Sequence, residues 1–358
     1  MTQRIAVIPG DGIGPEVARI GVRVLESLGL PLQFDWFDFG ADRYLRDGTT
    51  LPVEFMDTLR RDYAAVYFGA VGDPRVPGNE HAKGSLLAMR FELDLYINLR
   101  PCILIDDRLS PLKGKGRAQV KFVVFRENTE GLYAGVGGAL KQGTPDEVAH
   151  EVEVNTRKGV DRILEAAFAY AEQHGLRRVC MTDKANVLVH GHGLWRRAFA
   201  EASRRHPAIQ AKAMYVDALA MDLIRQPEAY EVIVTNNMFG DILTDLGAAL
   251  TGGLGLAASG NIHPGRVSLF EPVHGSAPDI AGQGKANPLA MALTGALLLE
   301  HLGHAREGQL LTRAVEEQVR EGAHTPDLEA FLGGPASTTD QVGSELLGRV
   351  QRLAQSRL

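Results

Sequence analysis

The stretch Val232-Ile233-Val234-Thr235-Asn236-Asn237-Met238-Phe239-Gly240-Asp241-Ile242-Leu243-Thr244-Asp245 decides how the rest of the chain is read. Its first four residues are all β-branched and read as a short buried strand. A turn through Gly240 follows, and Asp241 and Asp245 then stand at i and i+4 on one face of the next helix. The carboxyl end of a strand is where α/β proteins bind their ligands. Two carboxylates placed one turn apart repel each other unless a cation joins them, and oxygen-only donors suit Mg²⁺ or Mn²⁺ better than zinc. The competing reading has Asp241 complementing the helix dipole and Asp245 merely solvated.

Outward from this point the same grammar repeats. Residues 4–8, 34–37, 64–68, 120–125 and 179–181 are further apolar runs, separated by helical patterns such as the amphipathic stretch from Pro15 to Leu28. Such runs indicate buried, largely parallel strands, and so an α/β fold of parallel or mixed sheets flanked by helices. One segment departs from the alternation: residues 134–154 read as a protruding β-arm. The stretch Gly10-Asp11-Gly12-Ile13-Gly14-Pro15 follows a strand and opens a helix, but Pro15 does not complete the glycine spacing of a Rossmann fingerprint.

Composition sets the outer limits. At roughly 150 residues per domain, 358 residues make about two domains. A net charge of −6 with both signs interspersed offers no basic stripe for nucleic acid. The longest apolar stretch, 289–299, is short of the ~20 residues that cross a bilayer. Met1-Thr2-Gln3-Arg4 leads straight into a strand without the pattern of a signal peptide. Cys102 and Cys180 lack ligand or disulfide spacing. These features point to a cytoplasmic protein.

Several side chains near strand ends are candidates for chemistry. Arg90, Arg100 and Arg126 carry guanidinium forks that as a trio suit a dicarboxylic acid, although each taken separately reads as a surface ion pair. Lys184 and Asp217 each follow a strand, and Tyr133 offers a donatable proton. The turn-rich run from Glu271 through His274, Gly275, Ser276, Ala277 and Asp279 to Asn287 can wrap a nucleotide, with Asn287 and Pro288 as cap and first residue of an apolar helix.

Together these pieces are recognisable. The motifs Asn98-Leu99-Arg100-Pro101, Arg126-Glu127-Asn128-Thr129-Glu130-Gly131, Asp183-Lys184-Ala185-Asn186-Val187, Gly240-Asp241-Ile242-Leu243-Thr244-Asp245 and Glu271-Pro272-Val273-His274-Gly275-Ser276-Ala277-Pro278-Asp279-Ile280 resemble those of the metal-dependent β-decarboxylating dehydrogenases, the isocitrate/isopropylmalate dehydrogenase family. The resemblance covers most of the chain. It implies a two-domain, non-Rossmann α/β subunit, with 1–99 and 253–358 in the first domain and 100–252 in the second. By matching positions, Arg90, Arg100 and Arg126 bind the malate moiety, Asp241 and Asp245 hold Mg²⁺ or Mn²⁺ with Asp217 of the partner subunit, and Asp217 also faces the substrate. Lys184, again from the partner, assists removal of the hydroxyl proton, and Tyr133 protonates the enol carbon. Glu271, His274, Gly275, Ser276, Ala277, Asp279 and Asn287 line the NAD site.

The resemblance thus implies a homodimer with shared sites, acting on a 2-hydroxy dicarboxylic acid. Leu86 and Leu87 match the leucine pair that faces a branched alkyl group in the isopropylmalate-using members, which favours 3-isopropylmalate and a place in leucine biosynthesis. Lys83 stands where those members often carry glutamate. Tartrate, malate, homoisocitrate and isocitrate are the alternative substrates. A non-catalytic regulatory subunit is the remote alternative, disfavoured by the complete set Tyr133, Lys184, Asp217, Asp241 and Asp245.

Overall fold

A computed structural model describes residues 2–356 and divides the chain into two compact units. The first holds the chain up to Leu95, Ile103–Val120 and everything from Ala248 onward; the second holds Tyr96–Cys102 and Lys121–Gly247. In the first unit the strands lie in the order Leu32–Trp36, Gln3–Gly10, Ala65–Ala70, Ser268–Pro272, Ala258–Ile262. All these pairings are parallel except the last. Ala65–Ala70 is buried at every position, as a parallel strand covered on both faces must be. The antiparallel step is absent from the sequence reading, because Ala258-Ser259-Gly260-Asn261 carries little β-forming character.

Strands in the second unit follow the order Ile97–Ile103, Lys121–Glu127, Val232–Thr235, Arg178–Asp183, Gln210–Tyr215. Val232–Thr235 runs parallel to both its neighbours, and so does Arg178–Asp183. Gly131–Leu140 and Val148–Val154 form a separate antiparallel ribbon, most of it exposed, where the sequence marks an arm.

Residues 103–120, which the sequence boundaries put in the second domain, lie in the first unit. Leu109 is fully buried there, and the Arg108 guanidinium donates to the carbonyls of Val319 and Arg320 at the end of the helix Ala305–Glu321. Partners more than two hundred residues away leave no local trace. Cys102 and Cys180 are buried free thiols whose pKa burial pushes up to about 12. Among the described residues no helix is long and apolar enough to cross a membrane.

Candidate functional site

Strand Val232–Thr235 ends where helix Asn237–Leu250 begins, so Gly240 lies inside the helix instead of forming the expected turn. A side chain at Gly240 would place its Cβ 2.5 Å from Arg126 Cγ, so the helix can lie against that arginine only with glycine there. The buried Arg126 donates from Nε to Asn237 Oδ1 at 2.9 Å and from a terminal nitrogen to Asp241 Oδ1 at 2.6 Å. Arg100 donates to Thr244 Oγ1 at 2.6 Å and stands 3.6 Å from Asp241 Oδ1. Tyr133 donates its hydroxyl to Asp241 Oδ2 at 2.9 Å, with the Arg126 guanidinium 5.1 Å from its ring centre. Burial raises the pKa of Asp245, and the Asp241 charge raises it further against the pull of Arg100 and Arg126.

Lys184 and Asp217 form a second cluster in the same unit. Lys184 Nζ lies 2.7 Å from Asp217 Oδ1, and this hydrogen bond holds the Asp217 carboxyl below its usual range. Among the described residues no three His, Cys, Asp or Glu side chains come close enough to hold a metal within one chain.

In the first unit the Arg90 guanidinium donates to Glu271 Oε1 at 2.8 Å, and Asn261 donates to the same oxygen at 2.8 Å. Both members of the ion pair are buried, so Glu271 is engaged with the arginine. Leu86 and Leu87 close a single π-helical turn, Lys83–Leu87, a widened geometry frequent at functional sites. Leu86 leans on the core cluster that includes Phe55 and Met89. The backbone N–H of Ile13 donates to the Ser276 carbonyl at 2.8 Å, and Gly12, at φ +55°, leaves room for that contact. A Cβ there would lie 2.0 Å from the carbonyl oxygen. Burial lowers the pKa of His274 and so favours the neutral ring, whose Nε2 has no hydrogen-bond partner. Asp279 is exposed. Asn287 uses both ends of its amide inside the chain: Oδ1 accepts from Leu289 N at 3.0 Å and Nδ2 donates to Asp327 at 2.9 Å. The apolar helix therefore starts at Leu289, with Pro288 outside it as the cap.

Residues 4–346 match the family model described as isocitrate/isopropylmalate dehydrogenase. The chain belongs to the isocitrate/isopropylmalate dehydrogenase family. It is 45% identical over 355 residues to 3-isopropylmalate dehydrogenase of Thermobifida fusca, covering 98% of each chain. It is 46% identical over 352 residues to the Streptomyces avermitilis enzyme of the same name, covering 97% of this chain and 98% of that one. Among solved structures it resembles an isocitrate dehydrogenase from Methylococcus capsulatus, with a TM-score of 0.89 and 37% identity over 98% of this chain and 100% of that one.

Some residues that shape this family member's site escape a sequence reading. Asn237 and Thr244 hold the two arginines, and the Asn236-Asn237 pair at a strand end is the only local hint of them. The donor set suits a hard cation: two carboxylates one helical turn apart, of which Asp245 resists ionising beside Asp241. The loop around Ser276 suits a nucleotide, with a neutral imidazole, a close glycine turn and an exposed carboxylate gathered in one segment.

Proposed function

We propose that this chain oxidises and decarboxylates 3-isopropylmalate to 4-methyl-2-oxopentanoate and CO₂ with NAD, a step of leucine biosynthesis in the reducing cytoplasm. The observation that carries the reaction class is the convergence of Arg126, Arg100 and the Tyr133 phenol on Asp241. The relatives named 3-isopropylmalate dehydrogenase over nearly the full chain support the substrate. So does Ser85: its buried hydroxyl donates to the His81 carbonyl at 2.7 Å and is therefore not offered beside Leu86 and Leu87 to a third carboxylate.

In this reading Arg90, Arg100 and Arg126 bind the two carboxylates of the malate moiety. Asp241 and Asp245, with Asp217 of a second copy, would hold Mg²⁺ or Mn²⁺, which would supply stabilisation of the negative charge that develops on the substrate's oxygens. His274, Gly275, Ser276, Ala277 and Asp279, with Glu271 and Asn287 flanking, would hold NAD, which would supply the hydride acceptor. Lys184 Nζ takes part in removing the hydroxyl proton, and the Tyr133 hydroxyl returns a proton to carbon after CO₂ leaves. The separate Lys184–Asp217 pair supports a homodimer whose sites each draw on both chains.

A substrate panel tests the proposal. With NAD and Mn²⁺, kcat/KM for 3-isopropylmalate should exceed that for isocitrate, homoisocitrate, tartrate and malate by roughly tenfold or more. A preference for isocitrate would transfer the alkyl pocket's role to a carboxylate-binding one, with Lys83 as the residue to examine.

A further inference from the structure

We propose that Glu153, His192 and Asn236 are positioning residues that lock Lys184 and the helix bearing Asp241 and Asp245 into one arrangement. The inference rests on the reading of Lys184 as the group that handles the hydroxyl proton. These three side chains belong to different parts of the second unit. Glu153 lies on the returning strand of the arm, His192 in the first turn of helix Gly191–Arg205, and Asn236 between strand Val232–Thr235 and helix Asn237–Leu250.

Hydrogen-bond directions fix the chemistry of the network. The Lys184 backbone N–H donates to His192 Nδ1 at 2.7 Å, so that nitrogen must accept and the ring proton sits on Nε2. Nε2–H then donates to Glu153 Oε1 at 3.1 Å. The Asn236 amide is oriented by Phe239 N, which donates to its Oδ1 at 2.9 Å, leaving Nδ2 to donate to the same Glu153 oxygen at 2.7 Å. The 3.2 Å approach of Asn236 Nδ2 to His192 Nε2 is the consequence of two donors sharing one acceptor. His192 and Asn236 are 1% and 4% exposed, so water cannot replace these bonds. The imidazole also meets the Phe239 ring edge-on, with centroids 5.5 Å apart.

One carboxylate thus joins two pieces of machinery. Through His192 it holds the Lys184 backbone, and through Asn236 it holds the first turn of the helix that presents Asp241 and Asp245. If Lys184 serves the partner subunit's site, the same carboxylate links the contributions of one chain to both sites.

The test compares His192→Asn, whose amide oxygen falls near the position of Nδ1, with His192→Gln, whose amide nitrogen falls near Nε2. In the full-length protein, kcat and KM are measured with whichever hydroxy acid of the panel the wild type oxidises best, and exchange of the Lys184 amide is followed in the resting enzyme. His192→Gln should lower kcat about tenfold or more. It should leave KM for NAD within about twofold and speed exchange at Lys184, because a hydrogen bond closing that amide is gone. His192→Asn should retain several-fold more kcat than His192→Gln and keep the amide protected. If His192→Gln does not fold, Glu153→Gln replaces it and should loosen both Lys184 and Phe239 amides. Equal losses in the Asn and Gln variants, or a folded His192→Gln protein with wild-type kcat and a protected Lys184 amide, overturn the proposal. A wild type inactive on every hydroxy acid would defeat the functional reading instead, and amide exchange would still decide the positioning.

Discussion

Tyr133 is oriented by Asp241 at its hydroxyl and by the Arg126 guanidinium against its ring, so its proton is aimed by the protein itself. The Tyr133→Phe change keeps the ring and removes that proton. It should reduce kcat on 3-isopropylmalate by roughly 100- to 10,000-fold with little change in KM. Steady-state kinetics check this, and a loss under about threefold would remove Tyr133 from the chemistry. Leu86 and Leu87 differ although they are neighbours. Leu86 packs on the core cluster with Phe55 and Met89, which leaves Leu87 the freer of the two for an alkyl group. Leu87→Ser should cost 3-isopropylmalate about 1–3 kcal/mol more than malate in kcat/KM, and equal losses on both would mean that the side chain does not touch the branch. Asp279 is exposed, so a 2′-phosphate would meet a carboxylate there, opposed only by the Lys285 ammonium, which gives one of its three N–H donors to Gln283 Oε1 at 2.9 Å. NAD should therefore give the higher kcat/KM. Equal use of NADP would reassign Asp279.

At the scale of elements, two helices in the second unit illustrate how contacts tie function and stability to particular conditions. His206 closes helix Gly191–Arg205 onto helix Arg157–Gln173, with Nδ1 2.9 Å from Glu172 and Nε2 3.1 Å from Glu165, and its ring stacked on Phe168. Burial works against its charged form, but the hydrogen bonds to Glu172 and Glu165 outweigh it and raise the pKa. A raised pKa means that protonation favours the folded state. The contribution is complete below the ordinary value of about 6.5 and is lost as pH rises through the higher folded-state value. His206→Leu should consequently lower Tm more in acid than in alkali, for example at about pH 5.5 compared with about pH 9. Identical shifts in thermal scans at both pH values would show that the charge does not contribute. The Gly240→Ala change addresses helix Asn237–Leu250 directly. Its Cβ must displace Arg126 or the helix, with an expected destabilisation of about 1–3 kcal/mol in denaturant unfolding, and an unchanged midpoint would mean that the helix yields freely.

For the molecule as a whole, the proposed sharing of each site by two chains makes a quantitative prediction. Asp217→Asn and Asp241→Asn chains should each be inactive alone and can be unfolded together and reassembled. If two chains complete each site, every mixed dimer would contain one site with both lesions and one with neither, and random pairing should return about a quarter of wild-type activity. Mixtures that stay inactive after verified subunit exchange would place each site within one chain and reassign Lys184 and Asp217.

Most strands, the amphipathic helices and the arm could be read from the chain, because apolar period and short motifs are local properties that burial on both faces of a sheet makes conspicuous, whereas the weakly β-forming Ala258–Ile262 could not. Asp241 and Asp245 one turn apart needed only the helical repeat. Membership of 103–120 in the first unit did not show in the sequence, since it depends on Arg108 reaching carbonyls at Val319 and Arg320. Nor did the need for glycine at 240, which the bulk of Arg126 imposes from another strand on the helix lying against it. The pairing of Glu271 with Arg90, the two internal bonds of Asn287, and the bridge from Asn236 through Glu153 to His192 likewise join residues far apart in the chain. A hydrogen bond depends on where two atoms meet to within a few tenths of an ångström. Only the packed tertiary structure sets that distance, which is why the chain alone discloses which chemical groups are available and the fold decides which of them meet.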